Sequence, residues 1–195
     1  EHAQLAVDAL LIASGRQPAT ASLHPENAGI AVNERGAIVV DKRLHTTADN
    51  IWAMGDVTGG LQFTYISLDD YRIVRDELLG EGKRSTDDRK NVPYSVFMTP
   101  PLSRVGMTEE QARESGADIQ VVTLPVAAIP RARVMNDTRG VLKAIVDNKT
   151  QRMLGASLLC VDSHEMINIV KMVMDAGLPY SILRDQIFTH PSMSE

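Results

Sequence analysis

The chain closes on IFTHPSMSE, Ile187 to Glu195, where His190 precedes Pro191 and Glu195 stands five residues after the histidine. An imidazole has an unperturbed pKa of ~6.5, so a histidine held by a carboxylate suits proton exchange near neutral pH. Proline fixes its own φ and biases the residue before it toward an extended shape, so His190 should project from a stiff elbow. Pro191 is also a favourable first residue for a helix, which would carry Glu195 on its next turn. Taken alone, though, the ending is an ordinary solvated tail. A second candidate is NIWAMGDVTGG, Asn50 to Gly60. Gly55 lets a backbone approach a ligand closely, and the Asp56 carboxylate can accept hydrogen bonds from a polyol. The same Gly-Asp pair also reads as a plain turn.

The remaining polar candidates are weaker. His2, His24, His45 and His164 have no metal-ligand spacing, so no metal site is expected. Asp69-Asp70 lies beside polar residues and reads as a solvated helix face. Cys160 reads as a buried, structural thiol, because a free cysteine behaves as a small hydrophobe. Met166, Met172 and Met174 read as core or interface.

These residues need elements to position them. LAVDALLIAS, Leu5 to Ser14, reads as a buried strand ended by Gly15. Further strands are expected at Ala37 to Val40, after a turn at Arg35-Gly36, and at Ile51 to Met54, which delivers Gly55. A helix is expected from about Tyr65 to Leu79, with Ile66, Ile73, Val74 and Leu78 as its apolar stripe. The polar tract from Gly80 to Asn91 is the best boundary in the chain. Beyond it, SVFMTPPLSRVG reads as extended and proline-interrupted. Thr108 and Gln111 have capping-box spacing, and Gly116 supplies the stop. Strands at Ile119 to Ala127, Val141 to Val146 and Met153 to Val161 precede an apolar helix, SHEMINIVKMVMDAG, ended by Gly177. Strands flanked by helices after a linker give an α+β domain of about a hundred residues.

Composition narrows the class. The chain has 195 residues, 44% hydrophobic and 23% charged, with a net charge of -5. There is no basic surplus pointing to nucleic acid. No apolar run approaches the roughly 20 residues that cross a bilayer, so no membrane partner is expected. A single cysteine leaves no intrachain disulfide and fits a reducing cytoplasm. The N-terminus carries neither a Met nor a signal-peptide pattern and enters a strand-like run within five residues, so Glu1 is expected to begin mid-protein.

The motifs together resemble the pyridine nucleotide-disulfide oxidoreductases. TTADNIWAMGD is similar to the second FAD-binding motif of that family at Thr46, Thr47, Ile51, Trp52, Ala53, Gly55 and Asp56. DALLIASGRQP resembles the segment leaving the NAD(P)H domain, at Asp8, Gly15, Arg16 and Pro18, although Ala19 stands where Asn is usual. VFMTPPLSRVGMTEEQA and LGASLLCVDSHEMI resemble the dimerisation domain, with Cys160 in place of a common glycine. HPSMSE matches the family's His-Pro-x-x-x-x-Glu ending. The Gln62-Phe63 wording resembles the mercuric reductase-like and reactive-chlorine-resistance flavoproteins. The likeness spans nearly the whole chain, with separate motifs in the family's order.

The resemblance implies an α/β plus α+β fold. Residues 1–84 would be the C-terminal remnant of a Rossmann-like NAD(P)/FAD-binding region, and residues 92–195 the dimerisation domain. It implies that Asp56 binds the flavin ribityl chain beside Gly55, and that the helix start at Phe63 and Thr64, where Leu-Ala is common, faces the flavin ring. It implies that Glu195 holds His190 in one tautomer while the histidine exchanges protons with a thiol in the partner subunit's active site. The cofactors implied are FAD and NAD(P)H, the assembly is a homodimer, and the acceptor is a disulfide or a small molecule. Mercuric reductases generally lack the His-Pro pair, which argues against mercury as the native substrate. No Gly-x-Gly-x-x-Gly turn and no cysteine pair occur in the chain. The chain alone is therefore expected to bind little or no FAD and to be inactive. Two alternatives stand beside this reading: a flavoenzyme that reduces a metal ion or small oxidant, and a purely structural dimerisation module.

Overall fold

A computed structural model describes residues 4–195, leaving His2 outside the described residues. The chain divides into two compact units, Glu1–Arg89 and Lys90–Glu195.

The first unit is organised around helix α1, Thr64–Leu79. Ile66 and Ile73 are seven residues apart, two helical turns, and both are buried on one face. Asp70 lies between them on that same face and is only 2% exposed. This corrects the reading of Asp69-Asp70 as a solvated face. Spacing of three and four from the two isoleucines puts Asp70 inside the apolar stripe, where a charge survives only if it is paired. Leu78, expected in the stripe, is exposed.

The expected strands of this unit are not regular strands. Val32 bridges Ile38 and His45 bridges Trp52, each as an isolated antiparallel bridge. Ala37, Ile38, Leu44 and Ala53 supply the buried apolar side chains here. The Leu5 to Ser14 segment has no strand pairing, and Leu5 and Leu11 are 83% and 88% exposed. A strand needs a neighbour for its backbone N–H and C=O groups, and no segment among the described residues lies alongside this one.

The polar tract after α1 is ordered rather than a loose linker. The Asp76 carboxylate accepts the backbone N–H groups of Lys83 at 2.7 Å and Arg84 at 2.9 Å. Those bonds, with Arg84's first, hold its pKa below the usual value. Ser85 and Asp88 form a capping box on a short turn, and Arg89 pairs with Asp69 and Asp70.

The second unit is a five-stranded antiparallel sheet in the order β1-β2-β5-β4-β3. The strands are β1 (Tyr94–Val96), β2 (Leu102–Gly106), β3 (Ile119–Pro125), β4 (Val141–Asp147) and β5 (Met153–Leu159). The proline-interrupted stretch thus contributes two strands. Ser103 pairs with Leu158 and Val105 with Ala156, which places four buried side chains on one sheet face. Helix α2, Glu109–Glu114, opens on the expected box: Thr108 accepts the Gln111 N–H at 3.0 Å, and the Gln111 side chain accepts the Thr108 N–H at 2.9 Å.

Helices α3 (Pro130–Val134), α4 (Ser163–Asp175) and α5 (Ser181–Arg184) complete the unit. Met166 and Ile167 of α4 pack with Val105, Val126, Ala132, Leu158 and Cys160 in the core. A buried hydroxyl chain ties α4 to the sheet. Ser95 and Ser103 share a hydrogen bond at 2.7 Å, Ser103 and Ser163 share one at 2.9 Å, and Ser163 donates to the Pro101 carbonyl at 2.9 Å. No helix among the described residues is long and apolar enough to cross a membrane.

Candidate functional site

In the first unit the candidate residues converge on the turn before α1. Gly55 has φ +78, a region that L side chains rarely adopt, and a Cβ there would lie 2.9 Å from Ser67 Oγ. Glycine is therefore required for the turn to sit against the first turn of α1. The Gly55 N–H donates to Asp70 Oδ2 at 2.6 Å, and its carbonyl accepts from Thr58 Oγ1 at 2.9 Å. Both backbone polar groups of Gly55 are thus held by the protein. Asp56, the next residue, is exposed. Its carboxylate makes no hydrogen bond or ion pair with the described residues.

Helix α1 begins beside this turn. Phe63 occupies its N-cap position without a side-chain capping bond. An uncapped helix start presents backbone N–H groups and the positive end of the dipole, a setting that favours an anionic ligand edge. Phe63 stacks on Tyr65, with centroids 5.0 Å apart and planes within 8°. Burial pushes the Tyr65 phenol above its ordinary pKa. Tyr65 was not legible as a site residue, because a single Tyr at a helix start carries no pattern. An exposed carboxylate beside a helix start without a side-chain cap offers the acceptor and the N–H donors that a flavin's ribityl chain and ring edge would take, so the residues present fit FAD.

In the second unit the structure brings His190 and Glu195 together. His190 Nδ1 lies 2.7 Å from Glu195 Oε2, with side-chain exposures of 70% and 18%. An ionised carboxylate can only accept, so Nδ1 carries the hydrogen and Nε2 is left to take or give a proton. The expected helix from Pro191 does not form. The His190-Pro191 bond is cis, and residues 190–195 make bends and a turn. So few residues are too short a helix to persist by propensity. Met193 orders the segment instead. It is 5% exposed and belongs to the core cluster. The tail is thus pinned between His190 and Glu195. Met193 was missed in sequence because one apolar residue in a polar tail shows no periodicity.

Cys160 is buried with its sulfur 3.7 Å from that of Met166. Burial, reinforced by the charge of Asp162, pushes its thiol up to about 11. A thiol so held is a structural group. Among the described residues no cluster of three or more His, Cys, Asp or Glu side chains could hold a metal ion.

The first unit carries a Gly-Asp turn at a helix start and the second a sheet with a held histidine at the chain's end, and each unit is matched by a family model of the same class of oxidoreductase. Residues 92–195 match the family described as pyridine nucleotide-disulphide oxidoreductase, dimerisation domain, and residues 1–70 match pyridine nucleotide-disulphide oxidoreductase. The chain belongs to this family. Among individual proteins, it is 36% identical to a mercuric reductase of Staphylococcus aureus over 188 residues, covering 96% of this chain and 34% of that protein. A mercuric reductase of Bacillus cereus is also 36% identical, over 95% of this chain and 29% of that protein. The solved Cu(II) complex of the HOCl-induced flavoprotein disulfide reductase RclA from Escherichia coli is 99% identical. That match has a TM-score of 0.97 and covers 100% of this chain and 44% of the other. The chain thus spans about a third of the curated relatives' length.

Proposed function

We propose that this chain supplies part of the flavin site, the dimer interface and the acid–base pair of an FAD-dependent NAD(P)H oxidoreductase that works as a homodimer on a disulfide. The observation that carries the reading is the 2.7 Å contact between His190 Nδ1 and Glu195 Oε2. FAD, when bound, would pass electrons from NAD(P)H toward the acceptor. Asp56 would bind the ribityl hydroxyls, and the α1 start at Phe63 and Thr64 would face the ring. Gly55 would keep the backbone close enough for both. His190 would accept a thiol proton at Nε2 while the thiolate attacks, and return it to the departing sulfur. Glu195 would fix the tautomer and stabilise the imidazolium.

The test is His190→Ala in a full-length flavoprotein carrying this sequence. Flavin reduction by NAD(P)H should be unchanged, while disulfide turnover falls by about 10² to 10⁴. Unchanged disulfide turnover sinks the acid–base role and leaves the tail a structural part.

A second reading takes a metal ion as the electron acceptor. It is favoured by the 99% identical relative described as a Cu(II) complex. Reducing Cu(II) to Cu(I) by electron transfer takes no proton from a thiol. The same His190→Ala variant would then lose disulfide turnover and keep Cu(II) reduction.

A further inference from the structure

We infer that Asp70 and Arg89 are positioning residues for the flavin-binding turn: Asp70 holds the Gly55 peptide that aims Asp56, and Arg89 holds Asp70. The inference rests on the reading of Gly55 and Asp56 as flavin-binding. Asp70 is 2% exposed in a stripe otherwise made of Ile66 and Ile73. A buried ion pair is commonly no more stabilising than apolar side chains of similar size. Burial alone therefore does not account for a carboxylate at this position.

Its hydrogen bonds do. One oxygen accepts the Gly55 N–H at 2.6 Å, on the Met54–Gly55 peptide, one peptide ahead of the one that leads into Asp56. The other is taken by Arg89 Nη2. Arg89 Nε meanwhile donates to Asp69 at 2.8 Å, and Asp69 accepts from Arg84 at 2.9 Å. Burial works against the Arg89 charge, but the Asp69 and Asp70 bonds outweigh it and hold its pKa above the ordinary value. The forked guanidinium thus spans two adjacent carboxylates and fixes the Asp70 rotamer. Rotating the Gly55 peptide would break this bond and swing Asp56 away from its ligand.

Flavin affinity of the full-length flavoprotein separates the acceptor from the charge. Asp70→Asn keeps an oxygen for Gly55 and should bind FAD within about threefold of wild type. Asp70→Val removes the acceptor and should weaken FAD at least tenfold. Because Asp70→Val leaves Arg89 Nη2 without its carboxylate in a buried setting and can unfold the unit, the double variant Asp70→Leu with Arg89→Met is the second arm. It removes both charges, which is often neutral for stability. It should keep the apoprotein melting temperature and still lose FAD at least tenfold. Wild-type FAD affinity in the folded double variant overturns the inference, as does an equal loss in Asp70→Asn and Asp70→Val. Asp56→Ala, measured alongside, distinguishes the two levels. If it weakens FAD while the double variant does not, only the positioning role fails. If it binds FAD normally, the flavin reading of the turn fails with it.

Discussion

His190 Nδ1 and Glu195 Oε2 meet at 2.7 Å although five residues separate them, because Met193 between them is buried in the core. The contact is held by packing rather than by a helix. Glu195→Gln keeps an acceptor and removes the charge. In the full-length flavoprotein it should lower disulfide turnover about tenfold, less than His190→Ala, since orientation survives and imidazolium stabilisation does not. Steady-state kinetics of both variants check the order, and equal losses would contradict it.

Met193 should be needed for that geometry. Met193→Ala opens a cavity in a closely packed core and should cost about 2–5 kcal/mol. Met193→Leu preserves volume and should cost under about 1.5 kcal/mol. Turnover should follow stability in this pair, with the leucine variant near wild type. Urea denaturation and activity measured together provide the check.

Cys160 should resist alkylation in the folded protein at pH 8, because its thiol is buried and pushed up to about 11 from an ordinary 9.0. Between those two pH values the unfolded chain loses the proton that the folded chain keeps. Stability contributed by this group should therefore be full below pH 9 and fall as pH rises through the window. A Cys160→Ala variant removes that component. The difference between the two proteins' denaturation midpoints at pH 8 and pH 10.5 measures it.

Phe97 and Met172 of the second unit are 77% and 71% exposed. Apolar side chains that open to water on a dimerisation domain are candidates for burial in the proposed homodimer. Phe97→Glu or Met172→Glu should shift the full-length protein toward monomer in sedimentation velocity, with no loss of helix signal in circular dichroism. A wild-type dimer in both variants places the interface elsewhere.

The capping box at Thr108 offers a local test. Thr108→Ala removes the acceptor for the Gln111 N–H and should cost about 1 kcal/mol. In a unit of this size that should lower the melting temperature by about 4–8 °C.

Local patterns were legible where their cause is local. The capping box needs only Thr108 and Gln111, and α1 and α4 follow from their apolar spacing, so their limits were close to those observed. The last three expected strands appeared near their expected limits because runs of β-branched and aliphatic residues suit a half-buried pleat. The Leu5 to Ser14 run has the same local character and forms no strand, because pairing is decided by a neighbour and not by the run itself.

By itself the sequence determined which residues stand at the Gly55-Asp56 turn and at the His190–Glu195 ending, and motif order identified their family. Only the tertiary structure decided how they are held. Asp70 looked like surface until Gly55 and Arg89 were seen on its two oxygens, and Met193 looked like tail until it was found in the core. Both depend on partners 15 or more residues away or on burial. A hydrogen bond or a packed side chain is a relation in space, which spacing along the chain does not specify.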